Sequence, residues 1–426
     1  MRNDLLWIAA CAGCAAALTV FLSAGGVKPL QSAMQWTSTQ AQTAAIFFVQ
    51  SISAAQIQDE YRSVPVSRSL SGVPEVAVPA ERVRVLIVAG HQPEKGGTEF
   101  GGVREREVVA DIVDALVELL SQNPHYEAMA ARTKTAWNPI LQSYFDTHKL
   151  EIDTFMQSQK TQMESRLADG SILPQADTVY HLTVPSAAAI QLYGINKWAS
   201  DNRYDITIHL HINDDAEHRP RVAGKYNGFA VYIPDHQYSN AEASRAIGEK
   251  IAARLNAYHA TSTLPIEDAG VVEDQQLIAI GSNNTADGAA LLIEYGYIYE
   301  PQFQSSSIRQ LAIADYAFQT YLGLQDFFDD PIVTTYGSVS FPYDWTKVTG
   351  ARNEKGPSVY ALQAALRHLG YYPPTGRSFS DCPISGVAGP CTRAAITAYQ
   401  KAHSLAGTGR LGPETRAILE KELATP

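Results

Sequence analysis

Apolar residues follow two spacings along the middle of the chain, and their alternation predicts a sheet flanked by helices. Short apolar runs typical of buried strands alternate with segments in which apolar residues recur every three or four positions. The predicted strands are residues 83–89, 180–184, 206–212, 228–233, 277–280 and 290–294. The predicted helices are residues 108–120, 137–167, 186–200, 239–258 and 308–322. This order favours an α/β domain, residues 81–328, with a mostly parallel sheet flanked by helices.

The C-terminal part of the chain has a purely helical pattern. Helices are predicted at 359–371, 392–400 and 415–423, and Gly370 gives the first of them a normal C-terminal signal. A stretch rich in Pro, Gly and Ser, residues 329–352, precedes them. We therefore expect a linker at 329–352 and a small all-α three-helix domain at 353–426.

The N-terminus has the composition of a membrane or export segment. Residues 5–27 carry no charge, and a bilayer span needs about 20 apolar residues. A cleavable signal peptide is the alternative. We expect residues 1–27 to be a transmembrane anchor, followed by a stalk at 28–80 rich in Gln, Ser, Thr and Ala. The rest of the chain then faces the periplasm or the cell exterior, and it would be secreted if the segment were cleaved.

The net charge limits the classes of partner that the protein can bind, and the cysteine content bears on the compartment in which it folds. The formal net charge is −11, which argues against a nucleic-acid partner because such proteins usually present a basic face. Cys382 and Cys391 lie close together in a loop rich in Gly and Pro. Outside the cytoplasm such a pair favours a local disulfide. A metal site there would need His368 and His403, which are poorly spaced.

Four ionisable residues stand where predicted elements begin or end. His91 follows the first strand and Gly90, and Glu105 opens the first helix. His211 and Glu294 each lie at the end of a later apolar strand. Ligands of open α/β sheets gather at the carboxyl ends of the strands, so we expect these side chains to converge there. Two histidines and a carboxylate suit a catalytic zinc ion with an open position, and a further glutamate suits a general base.

Neighbouring residues compete for two of these roles. His209 and His211 are two apart on a strand, so both point to the same face of the sheet. Glu105 and Glu107 are two apart on a helix and point to different sides. The spacing alone does not choose between the members of either pair.

The pattern as a whole resembles the zinc-dependent N-acetylmuramoyl-L-alanine amidases, enzymes that cut peptidoglycan. The resemblance covers roughly residues 81–325. It is carried, in order, by Gly90-His91, by Gly102-Val103-Arg104-Glu105, by His209-Leu210-His211-Ile212-Asn213 and by Leu292-Ile293-Glu294-Tyr295-Gly296-Tyr297. The resemblance implies that zinc is bound by His91, Glu105 and His211, with Glu294 as the general base, and it leaves His209 beside the site.

The same resemblance implies a substrate and a reaction. The expected reaction is hydrolysis of the amide between N-acetylmuramic acid and L-alanine by a zinc-activated water. The C-terminal domain resembles the three-helix peptidoglycan-binding module, so glycan strands and stem peptides are the expected partners.

Three departures from the family pattern keep two alternatives open. Gln92-Pro93 replaces the usual Gly-Gly, His209 stands where serine is usual, and the segment between the first helix and the His211 strand is longer than usual. The alternatives are a zinc peptidase that cuts within the stem peptide and a degenerate, non-catalytic wall-binding protein.

Overall fold

The structure, a computed structural model, describes residues 82–175, 186–215, 217–219, 221–281, 288–328, 348 and 353–423. The predicted N-terminal segment 1–27, the stalk 28–80 and the predicted strand 180–184 lie outside the described residues. Within the described ranges, no helix is both long enough and apolar enough to cross a membrane.

A six-stranded sheet forms the centre of the larger domain, with strand order β4-β1-β5-β8-β6-β7, and β2 and β3 form a separate small hairpin. The strands are β1 (Val83–Ala89), β2 (Glu99–Phe100), β3 (Val103–Arg104), β4 (Tyr126–Ala130), β5 (Ile206–Asn213), β6 (Ala230–Pro234), β7 (Val271–Asp274) and β8 (Ala289–Tyr297). β4, β1, β5 and β8 are mutually parallel, whereas β6 pairs antiparallel with β8 and parallel with β7. The mostly parallel sheet is thus confirmed, with one antiparallel junction.

Helices cover both faces of this sheet. The helices are α1 (Glu105–Gln122), α2 (Pro139–Thr147), α3 (Lys149–Ala168), α4 (Ser186–Asp201), α5 (Ala241–Asn256), α6 (Pro301–Gln304), α7 (Ser306–Phe328), α8 (Pro357–His368), α9 (Pro390–Ala402) and α10 (Pro413–Leu423). Strand side chains alternate between the two faces. Ile208 and Leu210 of β5 join α1, α5 and α7 in the main core, while Val88 and Leu292 face the side covered by α4.

The predicted strand at 277–280 is wrong. Ile278–Ile280 form a short 3-10 helix instead. The Asp274 carboxylate accepts hydrogen bonds from the backbone N–H groups of Gln276 and Leu277, both at 2.7 Å, and so turns the chain directly after β7. Gly281, with φ of +73°, ends the 3-10 helix in a left-handed conformation. The apolar side chains are buried as expected, but against the sheet face rather than within the sheet.

The long helical prediction at 137–167 is interrupted. Two helices, α2 and α3, meet at His148, which has non-helical backbone angles. Asn138 caps α2 by accepting a 3.0 Å hydrogen bond from the N–H of Ile140. The strand β4, which the hydrophobic pattern did not predict, precedes them along the chain.

The smaller domain contains the three predicted helices, α8, α9 and α10. Cys382 and Cys391 form the predicted disulfide, which ties the loop between α8 and α9 to the first turn of α9. The buried Gln363 side chain holds this loop, since its oxygen accepts from the N–H groups of Ser385 and Gly386 at 2.9 and 2.8 Å. An internal amide that bonds the backbone in this way fixes the conformation of the loop, whose Tyr372, Cys382 and Ile384 are buried in the core.

Candidate metal centre and active site

His91, Glu105, His211 and Glu294 lie together at the carboxyl ends of the parallel strands. The backbone N–H of Gly90 donates to the carbonyl of Leu210 at 2.8 Å, which extends β1 beside β5 as far as His91. On the next strand pair, His211 of β5 is the register partner of Glu294 of β8. All four side chains line one cavity of about 690 Å³. The structure therefore brings together the four residues selected from the sequence.

Glu105 is the centre of this group. Its Oε1 lies 2.8 Å from Nε2 of His91 and 3.0 Å from Nδ1 of His211, and it accepts from the N–H of Ile212 at 3.2 Å. Its Oε2 accepts from the N–H of Thr98 at 2.9 Å. Burial would raise the pKa of Glu105, but the charge of His91 and the hydrogen bonds from both histidines outweigh it and hold the pKa well below its ordinary value. These surroundings favour the ionised carboxylate.

Glycines allow the backbone to approach these side chains closely. A Cβ on Gly90 would lie 2.4 Å from Cε1 of the His211 ring, so that ring packs directly over the Gly90 backbone. Gly97, with φ of +78°, would place a Cβ 3.0 Å from His91 and 3.1 Å from Glu105. His91 itself has φ of +66°, which turns its side chain back over the loop.

Arg132, which the sequence analysis missed, holds the turn that carries His91. Its fully buried guanidinium donates only to backbone carbonyl oxygens, and all the bonds but one measure 2.8–3.0 Å. The accepting carbonyls belong to Ala89, Gly90, His91, Arg106 and Thr133. Burial lowers the pKa of Arg132 to about 10, partly offset by the charge of Glu105. Arg132 could not be predicted, because a single arginine after a short strand matches no recognisable sequence motif.

Glu294 lies in a different electrostatic environment from Glu105. It is 5% exposed, and its Oε2 has no hydrogen-bond partner among the described residues. Burial, and then the negative charges of Glu105 and Glu267, raise its pKa well above the ordinary value. Two carboxyl groups in one cavity thus have pKa values displaced in opposite directions, an arrangement typical of acid–base sites.

Glu267 is a second buried group that the sequence did not reveal. Its carboxylate accepts from Nδ2 of Asn213 at 2.8 Å and from the Tyr297 hydroxyl at 3.0 Å, and also from the hydroxyls of Tyr232 and Ser262. Asn213 and Tyr232 line the cavity, whereas Glu267 lies behind them. Glu267 therefore positions two cavity residues without facing the cavity itself.

His209 and Glu107, the alternatives to His211 and Glu105 as ligands, lie in different environments. His209 is fully buried and lines the cavity, and neither ring nitrogen bonds to a described residue. Burial, and then His211, lower its pKa to about 3, so the ring is neutral. Glu107 is directed away from the cluster and pairs with Arg104 at 2.9 Å.

The cluster has the donors of a metal site. One ligand atom from each of His91, Glu105 and His211 lies within 4.8 Å of the others. Two imidazole nitrogens and a carboxylate oxygen suit zinc and related divalent metals. A second close group, Asp235, His236 and Glu273, lies at the protein surface. In this second group His236 is 71% exposed, and Glu273 forms an ion pair with Arg245. The second group is therefore a surface ion-pair network.

Two protein families match the chain. The N-acetylmuramoyl-L-alanine amidase family matches residues 85–306, which is 222 of the 426 residues. The peptidoglycan binding domain family matches residues 355–419. No curated protein shows a significant match.

Solved amidase structures show weak likeness. The CwlD amidase of Clostridioides difficile, in complex with the GerS lipoprotein, is 14% identical with a TM-score of 0.37, over 58% of this chain and 99% of that one. Ami1 of Mycobacterium smegmatis is 13% identical with a TM-score of 0.38, over 58% and 99%. AmiC2 of Nostoc punctiforme is 17% identical with a TM-score of 0.34, over 58% and 98%. Likeness at this level supports no conclusion about this chain, and the family match is the stronger finding.

The packing of His211 over Gly90 gives a testable prediction. In Gly90→Ala the new methyl group would overlap the His211 ring, so that ring must move away from Glu105. We expect the affinity for zinc, used as the probe ion, to fall by about 10-fold or more, the usual scale for disturbed ligand orientation. Gly412→Ala is the matched control, because a Cβ there meets no atom within 4 Å. Equal zinc affinity of Gly90→Ala and the unaltered chain would contradict the prediction.

Proposed function

The chain belongs to the N-acetylmuramoyl-L-alanine amidase family, and we propose that it performs the hydrolysis with a zinc ion held by His91, Glu105 and His211. The reaction is cleavage of the amide that joins the glycan to the stem peptide of peptidoglycan. The observation that carries the zinc proposal is geometric: the buried Glu105 carboxylate lies 2.8 Å from Nε2 of His91 and 3.0 Å from Nδ1 of His211. A buried carboxylate is costly without a cation nearby, and a divalent metal supplies one.

The roles of the protein groups follow from their surroundings. A bound zinc ion would polarise the scissile carbonyl and make water more acidic. His91 and His211 would present neutral ring nitrogens, and Glu105 would supply the single negative charge of the ligand set. Glu294, the register partner of His211, lines the same cavity and would accept a proton from the attacking water. Its raised pKa also suits it to return that proton to the leaving nitrogen of L-alanine.

Product analysis distinguishes this activity from a peptidase that cuts within the stem peptide. We expect purified peptidoglycan digested by the protein to give intact stem peptides beginning with L-alanine and glycan strands with free lactyl groups. Mass spectrometry of the two fractions measures both. Stem fragments cut at an internal peptide bond, with the lactyl amide intact, would identify the peptidase instead.

Two glutamate substitutions separate metal binding from proton transfer. Glu294→Gln is nearly isosteric and should retain zinc, while activity falls by at least about 100-fold because the general base is lost. Glu105→Gln should lose both zinc and activity. Glu107→Gln is the control and should change neither, since Glu107 pairs with Arg104 outside the cluster. The assignment fails if Glu294→Gln loses its zinc or hydrolyses peptidoglycan at the unaltered rate.

We further propose that residues 1–27 anchor the protein in the membrane and that both folded domains, 81–328 and 353–426, face the cell wall. The support is the uncharged stretch 5–27, followed by the polar stalk 28–80. We expect detergent, but not high salt, to extract the full-length protein from membranes. Recovery of a soluble protein that lacks residues 1–27 would show that the segment is a cleaved signal peptide.

A further inference from the structure

His209 is a buried polar side chain that the proposed reaction does not use. It is fully buried on β5, and neither ring nitrogen bonds to a described residue. An unpaired buried donor or acceptor costs about 1–3 kcal/mol, so such groups are rarely left without a partner. The ring nevertheless lines the cavity that holds the proposed metal cluster. A ligand that fills this cavity can supply the missing partner.

The neighbours of His209 in the cavity wall are apolar. Its register partners are Val88 on β1 and Leu292 on β8, and both also line the cavity. Ala279 of the 3-10 helix and Leu192 of α4 contribute further apolar lining. The imidazole is thus a polar group among apolar side chains. Such a wall fits a ligand group that carries one hydrogen-bonding atom next to a methyl group.

This part of the cavity adjoins the proposed metal cluster. His209 and His211 lie two apart on β5 and point to the same face, so roughly 6.6 Å separates their Cα atoms. The cavity has a volume of about 690 Å³, which leaves room for a substituent beside the reacting amide. A group bound by His209 is therefore attached to the substrate only a few bonds from the scissile carbonyl.

The acetamido group of N-acetylmuramic acid fits this description. It stands on the ring carbon next to the one that carries the lactyl ether, and its carbonyl and methyl groups share one carbon atom. L-alanine also carries a methyl group and a carbonyl, but there the peptide chain must continue past them. Because His209 is fully buried, its pocket suits a terminal group better than a segment in the middle of a chain.

We propose that His209 determines substrate specificity: its ring N–H donates to the carbonyl oxygen of the acetamido group, whose methyl group lies against Val88 and Leu292. The proposal rests on the proposed function and deepens it, since it assigns the pocket beside the proposed metal cluster to the sugar and not to the stem peptide. A buried site that hydrogen-bonds its substrate discriminates strongly against an analogue without the bonding group, because the polar group of the site is then left unpaired.

A comparison of two substrates in the full-length protein and its variants tests this proposal. The substrates are a soluble N-acetylmuramoyl peptide and its 2-deoxy analogue, which lacks the acetamido group. We expect kcat/KM of the unaltered protein to be at least about 10-fold higher for the first. In His209→Leu that preference should disappear, because activity falls on the acetylated substrate and is unchanged on the analogue. His236→Leu makes the same change at a histidine that is 71% exposed, and it should keep the preference.

A binding measurement makes the test independent of hydrolysis. The imidazole NMR resonances of His209, assigned by their absence in His209→Leu, should shift on addition of N-acetylmuramic acid and stay in place on addition of its 2-deoxy analogue. Unshifted resonances would overturn the proposal, as would a preference that survives in His209→Leu. Equal loss of activity on both substrates in His209→Leu would make the residue structural and would also overturn it. Inactivity of the unaltered protein towards both substrates would contradict the proposed function, and the resonance shift would still decide whether His209 binds the sugar.

Discussion

The burial of one negative charge, on Glu105, is the constraint around which the catalytic edge is arranged. A carboxylate removed from water needs donors or a cation on every side, and stripping one partner from a buried ion pair costs about 3–5 kcal/mol. Here the partners come from three elements: the imidazoles of His91 and His211, and backbone N–H groups on either side. Glu105 is also the first residue of α1, where the helix dipole favours an anion. The positions of β1, β5 and α1 relative to one another are thus coupled to the negative charge at the proposed metal site.

Two further buried charges stabilise the cavity without facing it. Arg132 directs its donors to backbone carbonyls, so a cation fixes the turn of His91 without competing for the Glu105 carboxylate. Glu267 accepts hydrogen bonds from Asn213 and Tyr232 and so fixes two residues that line the cavity. In the low dielectric of the interior these fixed charges also act over distance: Glu267 and Glu105 both raise the pKa of Glu294. Together with burial, which is the larger cause, the two glutamates therefore keep the pKa of Glu294, the proposed general base, above its ordinary value.

Four strands of the sheet (β1, β5, β6 and β8), helices α1, α4, α5 and α7 and the four cluster residues could be predicted because each has a local signal, whereas β4 and β7 were not predicted. An apolar run ends in an ionisable side chain, and parallel strands bring such ends to one edge. Arg132 and Glu267 could not be predicted, since their role depends on carbonyls and hydroxyls contributed by segments distant along the chain. The run at 277–280 was assigned to a strand because buried 3-10 and strand segments look alike in hydrophobicity. The turn imposed by Asp274 decides between them. The contact between Arg367 and the end of α5 is likewise non-local, because the two residues lie 110 positions apart along the chain.

The departures from the family pattern have a common structural explanation. The longer segment between α1 and β5 forms α2, α3 and α4, and α4 covers the face of the sheet that carries His209. Gln92, which replaces a glycine of the family pattern, donates to the side chain of Gln191 on α4. His209, which replaces a serine, lines the cavity together with Leu192 and Ile195 of the same helix. Both replacements therefore lie where α4 meets the site, next to His91, Glu105, His211 and Glu294, which remain together. Their position beside α4 gives both residues a place in the site, so loss of the active site is not required to explain them.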